Sequence, residues 1–120
     1  MQRYFHDLSD IPPHETRIGQ LQMLSGEQGT FFYVKARAGS EVGRHSHPME
    51  QMTWLISGKM EMEVGDAPRR EILPGTIVLV PPNVEHRAWY VEDCVVAEFA
   101  APPRHDMFPQ AARHPYGIES

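Results

Sequence analysis

Eleven prolines and nine glycines are spread through these 120 residues, and they restrict the fold more than any other feature. A proline breaks a helix interior and a glycine weakens one. Between them the apolar residues fall in short runs. No segment keeps apolar spacing at three and four residues over several turns. The pattern excludes long helices and predicts many short strands joined by turns, the habit of a β-sandwich or barrel. No repeat at a solenoid period is present.

The strands can be placed individually. Residues 30–36 (TFFYVKA) are aromatic and β-branched. Residues 51–56 (QMTWLI) run into Ser57-Gly58, read as a two-residue hairpin turn. In 59–64, Met60, Met62 and Val64 alternate with Glu61 and Glu63, which predicts a half-buried strand. Residues 76–80 (TIVLV) form a continuous apolar run and are expected to be buried on both faces. Pro81-Pro82-Asn83 breaks that run, and 86–91 and 95–99 give two more strands around a turn at Glu92-Asp93. One domain of 1–120 is expected: 1–29 as an N-terminal arm or edge strand, 30–101 as the barrel core, and 102–120 as a C-terminal tail.

Net charge is −5, with a pI near 5.7 and no basic run. A nucleic-acid partner needs a Lys/Arg-rich face, so that class is set aside, and no helix pair for reading DNA is visible. The N-terminus lacks the apolar centre of a signal peptide, and no run is long enough to cross a bilayer. Cys94 is the single cysteine, so no intrachain disulfide forms. A soluble cytoplasmic protein with no membrane partner is the expectation.

The chemistry concentrates in four residues. His45 and His47 are two apart, and on a strand such residues share a face. Gln51 begins the next strand, and His86 lies far on, just past the Pro-Pro-Asn turn. Closing a barrel would bring all four together. Neutral imidazole suits Zn, Ni, Cu and Fe, so the spacing points to one divalent ion whose identity among Zn, Ni, Mn, Fe and Cu stays open.

The stretch from Gly39 through His45, His47 and Gln51 to Gly58 resembles the first motif of the cupin family: a glycine, His-x-His, an acidic position, then a closing glycine. Gly75 through Pro81 and Asn83 to His86 resembles the second. The resemblance implies an all-β cupin barrel, a double-stranded β-helix or jelly roll, with His45, His47, Gln51 and His86 as metal ligands. Asn83 replaces a usual glycine, and asparagine tolerates the left-handed backbone such a turn uses. Gln51 stands where most cupins carry glutamate. Four neutral ligands leave the charge of a divalent ion uncompensated, which favours Lewis-acid work over redox cycling.

A His-x-His, glutamine, histidine set is similar to that of the pectin-degradation cupins that open unsaturated uronate rings, and of the polyketide-cyclase cupins. The uronate group ends its barrel with an aspartate, a phenylalanine two residues on, then an arginine after a proline turn. Phe99 and Arg104 fill two of those roles; the aspartate falls on Ala97, and Glu98 is expected to face away. The resemblance thus implies an enzyme of lyase or isomerase type acting on a small oxygen-rich substrate, keto-carboxylate, sugar-acid-like or polyketide-like. Arg104 would hold a carboxylate, and Tyr90, on the face of His86, would either line the pocket and relay a proton or pack as a barrel aromatic. Without the aspartate, a metal-bearing small-ligand binding module is the alternative, and an iron dioxygenase the third reading. Parity turns Met52, Trp54, Ile56 and Trp89 outward. An arm, a second sheet layer or a second subunit must cover that stripe, and a homodimer is the expectation.

Overall fold

The computed structural model describes residues 4–103. After a 3-10 turn at Leu8–Asp10, ten strands follow in chain order: β1 His14–Glu15, β2 Gly19–Ser25, β3 Thr30–Ala36, β4 Glu41–His45, β5 Glu50–Ser57, β6 Met60–Val64, β7 Arg70–Ile72, β8 Ile77–Val80, β9 His86–Tyr90 and β10 Cys94–Ala101. They build two antiparallel sheets, one ordered β1-β2-β3-β10-β5-β8 and the other β4-β9-β6-β7. The sheets pack face to face as a cupin-type sandwich. No helix among the described residues is long and apolar enough to cross a membrane.

The alternation in β6 sets Met60 and Met62 into the core, as the sequence predicts. Leu55 from β5, Val80 from β8 and Val96 from β10 face them, all fully buried. Within 4–29, β1 and β2 extend the first sheet outward from β3, with β1 at its edge. In β2, Leu21 and Met23 enter the core between Gln20 and Gln22, a period-two pattern that was legible but weak.

Two expectations fail. Ser57-Gly58 does not close a hairpin, because β5 and β6 lie in different sheets; the turn carries the chain between layers. Gly58 is held at φ 94° against the backbone of Asp93 and Cys94, where a Cβ would lie 2.2 Å from the Asp93 carbonyl oxygen. The TIVLV run is not buried on both faces either. It forms edge strand β8, with Ile77 64% and Leu79 52% exposed while Val80 is sealed. A continuous apolar run has two explanations, a strand with protein on both sides or one with an uncovered apolar face, and periodicity cannot separate them.

Met52, Trp54 and Ile56 do face outward. Cross-strand register widens that stripe into two rungs. Phe31, Phe99, Met52 and Leu79 stand side by side across β3, β10, β5 and β8; Tyr33, Ala97, Trp54 and Ile77 form the next rung. Tyr4 and His6 border it at Phe31 and Phe99, while Met52, Trp54, Ile77 and Leu79 stay exposed. Trp89 is different. Its outward ring is sandwiched by the guanidinium groups of Arg69, 3.6 Å from the ring centre, and Arg87, at 4.7 Å, so its own chain covers it.

Candidate metal centre and pocket

The three histidines converge. Potential ligand atoms of His45, His47 and His86 lie within 4.8 Å of one another. His45 ends β4 and pairs in register with His86 at the start of β9. Between Val42 and His45 the pairing shifts: Val42 opposes Ala88, three residues span what β9 spans in two, and the extra residue lets both side chains face inward. The shared-strand argument for His-x-His does not hold, because β4 stops at His45 and His47 sits in the loop that follows. That loop is fixed from the second motif: Asn83, at φ 65°, donates its backbone N–H to the His47 carbonyl at 2.8 Å.

Each imidazole is oriented in the same way. Nδ1 lies against a backbone carbonyl two residues away: Gly43 for His45 at 2.8 Å, Met49 for His47 at 2.9 Å and Val84 for His86 at 2.9 Å. A carbonyl only accepts, so Nδ1 carries the proton, and a neutral ring presents its Nε2 lone pair. This is the outer-shell arrangement typical of metal-ligating histidines.

Gln51 stands beside the cluster in a directed chain. Its amide nitrogen donates to Thr53 Oγ1 at 2.9 Å, and Thr53 Oγ1 donates to Glu98 Oε1 at 3.2 Å. An ionised carboxylate accepts only, so Glu98 sets the direction of both bonds. The amide oxygen is thereby turned to His47 Nε2, 3.0 Å away. At that distance a doubly protonated ring would donate from Nε2 to the amide oxygen, and with the proton on Nδ1 alone both atoms would offer lone pairs to one cation. The three converging imidazoles fit an ion, and the amide oxygen beside them would add a fourth uncharged donor.

Glu98 corrects the sequence reading. Parity counted from Phe99 turned Ala97 inward and Glu98 away. In β10 the inward positions are instead Cys94, Val96, Glu98 and Ala100, while Phe99 is 45% exposed and Ala97 stands beside Trp54 on the outer rung. The carboxylate that seemed missing is present, one residue later.

These groups line one end of a cavity of about 180 Å³ that runs between the sheets. Tyr90 lies in its wall and also packs in the hydrophobic core. Burial, with the negative charge of Glu98 adding, pushes its phenol far above the usual range, so it stays protonated. Thr16, from the turn before β2, also borders the space and had drawn no attention in the sequence. Arg104 lies outside the described residues.

The sequence pattern described as "Cupin domain" matches residues 32–100. Among solved structures, KdgF from Halomonas sp. superposes with a TM-score of 0.80 at 23% identity, covering 88% of this chain and 100% of that one. An RmlC-like cupin from Shewanella frigidimarina gives 0.80 at 21% identity, over 88% and 96%. Ectoine synthase from P. lautus gives 0.76 at 16% identity, over 85% and 80%. No curated protein matches. At such identities the structural likeness speaks for the fold alone.

Proposed function

The chain belongs to the cupin family, and we propose that it is a metal-dependent enzyme of lyase or isomerase type acting on a small keto or carboxylate substrate. The observation that carries this reading is the continuous connection from the histidine cluster through Gln51 and Thr53 to a pocket carboxylate, Glu98. His45, His47, Gln51 and His86 would hold one divalent ion, and when bound the ion supplies a Lewis acid to a carbonyl or carboxylate oxygen.

The chain's own residues supply the proton chemistry. Glu98 takes a proton from the carbon next to the substrate carbonyl, and the electron pair left behind moves onto the carbonyl oxygen. The proton then returns at another carbon, or a leaving group departs. A part-buried carboxylate and a neutral phenol lining the same cavity divide the roles: Glu98 is the base, and Tyr90 is a hydrogen-bond donor held protonated by its surroundings. Arg104 would hold a substrate carboxylate. The inward Glu98 removes the argument for a binding module, which rested on the absence of such a group.

The test pairs two readouts on the purified protein. Metal content is measured for the wild type, His86→Ala and Glu98→Gln, together with solvent deuterium exchange into the α-position of a 2-oxo acid. His86→Ala should lose metal and exchange. Glu98→Gln should keep the metal and lose exchange by about 10²- to 10⁴-fold. Unchanged exchange in both variants, or a requirement for iron and molecular oxygen, overturns the proposal.

A further inference from the structure

Beyond the polar end just described, the cavity is walled by Leu21, Phe32, Val34, Val42, Met60 and Met62. All but Val42 are buried, and Val42 packs against the same core. No lysine or arginine among the described residues lines it. Past the carboxylate and the ligand cluster, Thr16 and Tyr90 are the hydroxyl-bearing residues of the lining, and the remaining walls offer a substrate hydroxyl no partner. Burying a hydroxyl without a hydrogen bond is unfavourable, whereas burying a methylene is favourable. The size is equally restrictive. A cavity of about 150 Å³ with such walls stays dry and holds a benzene ring, and the space here is about 180 Å³.

We infer that the substrate has a skeleton of about six carbons in all, a hydrocarbon body behind a single chelating head, a 2-oxo acid or a 1,3-diketone. A polyhydroxylated sugar acid does not suit this pocket. The inference rests on the proposed metal-dependent reading for the head of the molecule; the body is argued from the walls alone. The head sits at the histidine and Gln51 end, within reach of Glu98, and the body lies along Met60, Met62 and Phe32. One neutral end group can be matched by many small carbonyl compounds, so the walls decide the class. A hydroxyl on each body carbon would leave several unpaired donors against methionine and valine side chains.

Two probes with the same six-carbon skeleton and the same head test this: 2-oxohexanoate, and 2-oxogluconate, which adds a hydroxyl at every body carbon. Binding is followed on the full-length, zinc-loaded protein by methyl signals of ¹³C-methionine, with Met60 and Met62 assigned through Met60→Leu and Met62→Leu. The expected result is at least about 100-fold tighter binding of 2-oxohexanoate, with both signals shifted. Equal or tighter binding of 2-oxogluconate, or binding of 2-oxohexanoate that leaves both signals unmoved, overturns the inference. A second arm separates it from the metal reading. On metal-free protein 2-hexanone, which has no carboxylate, should still shift the Met60 and Met62 signals at millimolar concentration. If zinc fails to bind while 2-hexanone shifts them, the metal reading falls and the hydrocarbon pocket stands. If zinc binds through His86 but 2-hexanone shifts nothing, the reverse holds.

Discussion

Thr53 donates its hydroxyl proton to Glu98 at 3.2 Å while accepting from the Gln51 amide nitrogen. A single buried hydroxyl thus tells the amide which way to turn, and the pocket carboxylate tells the hydroxyl. Thr53→Val keeps the shape and removes the link, leaving the Gln51 nitrogen without its acceptor. Metal affinity should fall by about 10- to 100-fold, the usual effect of losing an outer-shell partner, and stability by about 1–3 kcal/mol. Thr53→Ser should restore most of both. Titration of zinc against a competing chelator reads the affinity, and equal affinity in Thr53→Val would show that the amide is oriented by something else.

Tyr90 gives a pH prediction whose sign follows from linkage. Its phenol is pushed well above its ordinary value of about 10, first by burial and then by the charges of Glu98 and Cys94. The folded chain therefore keeps this proton where the unfolded chain would release it. Stability is unaffected below pH 10 and falls as pH rises beyond it. Of the four tyrosines, one should resist ionisation until the protein unfolds, as read by absorbance near the phenolate band. Tyr90→Phe should remove that delayed step and the alkaline loss of stability. A delayed step that survives in Tyr90→Phe would assign the effect to another tyrosine.

Much of this was readable before the structure, and the failures have a common origin. Where one face is buried and the other polar, as in Met60–Val64, the pattern fixes both strand and facing. The His45, His47 and His86 cluster followed from motif spacing, although the strand geometry first invoked for His47 was wrong. Errors came where both faces are apolar or small. In β10, Val95, Ala97 and Phe99 look as inward as Val96 and Ala100, so parity could be counted from either set, and Glu98 was lost by one residue. In β8 the outer face is as apolar as the inner one. Both strands border the same exposed rungs, and the sequence reads such a face as core.

That face supports the expectation of a homodimer. Phe31, Phe99, Met52 and Leu79 form one uncharged rung, with Trp54 and Ile77 in the next. A flat apolar sheet face can pair with a second copy of itself about a two-fold axis, and any substitution there then counts twice. Trp54→Glu should convert a dimer at micromolar concentration into a monomer, weakening association by at least about 100-fold, as expected for a central aromatic. Sedimentation equilibrium reads it. A wild-type monomer at those concentrations would reject the dimer, and the face would then have another occupant.

The neutral ligand set makes the last prediction. Gln51 presents an amide oxygen to His47 and an amide N–H to Thr53. Gln51→Glu replaces that donor with a second acceptor. Thr53 then faces two carboxylates with a single proton, and one of its bonds must fail. The added negative charge should tighten metal binding, because it offsets the charge of a divalent ion. It should also depress turnover by about 10-fold or more, because a partly neutralised ion polarises a carbonyl less and Glu98 loses its oriented partner. If the proposed chemistry is Lewis-acid chemistry, redox-inert zinc should support it in the wild type and oxygen should not be consumed. Metal content, turnover with zinc and an oxygen electrode measure the three quantities on the same preparation. Faster turnover in Gln51→Glu, or activity only with iron under oxygen, would reject the Lewis-acid reading in favour of a dioxygenase.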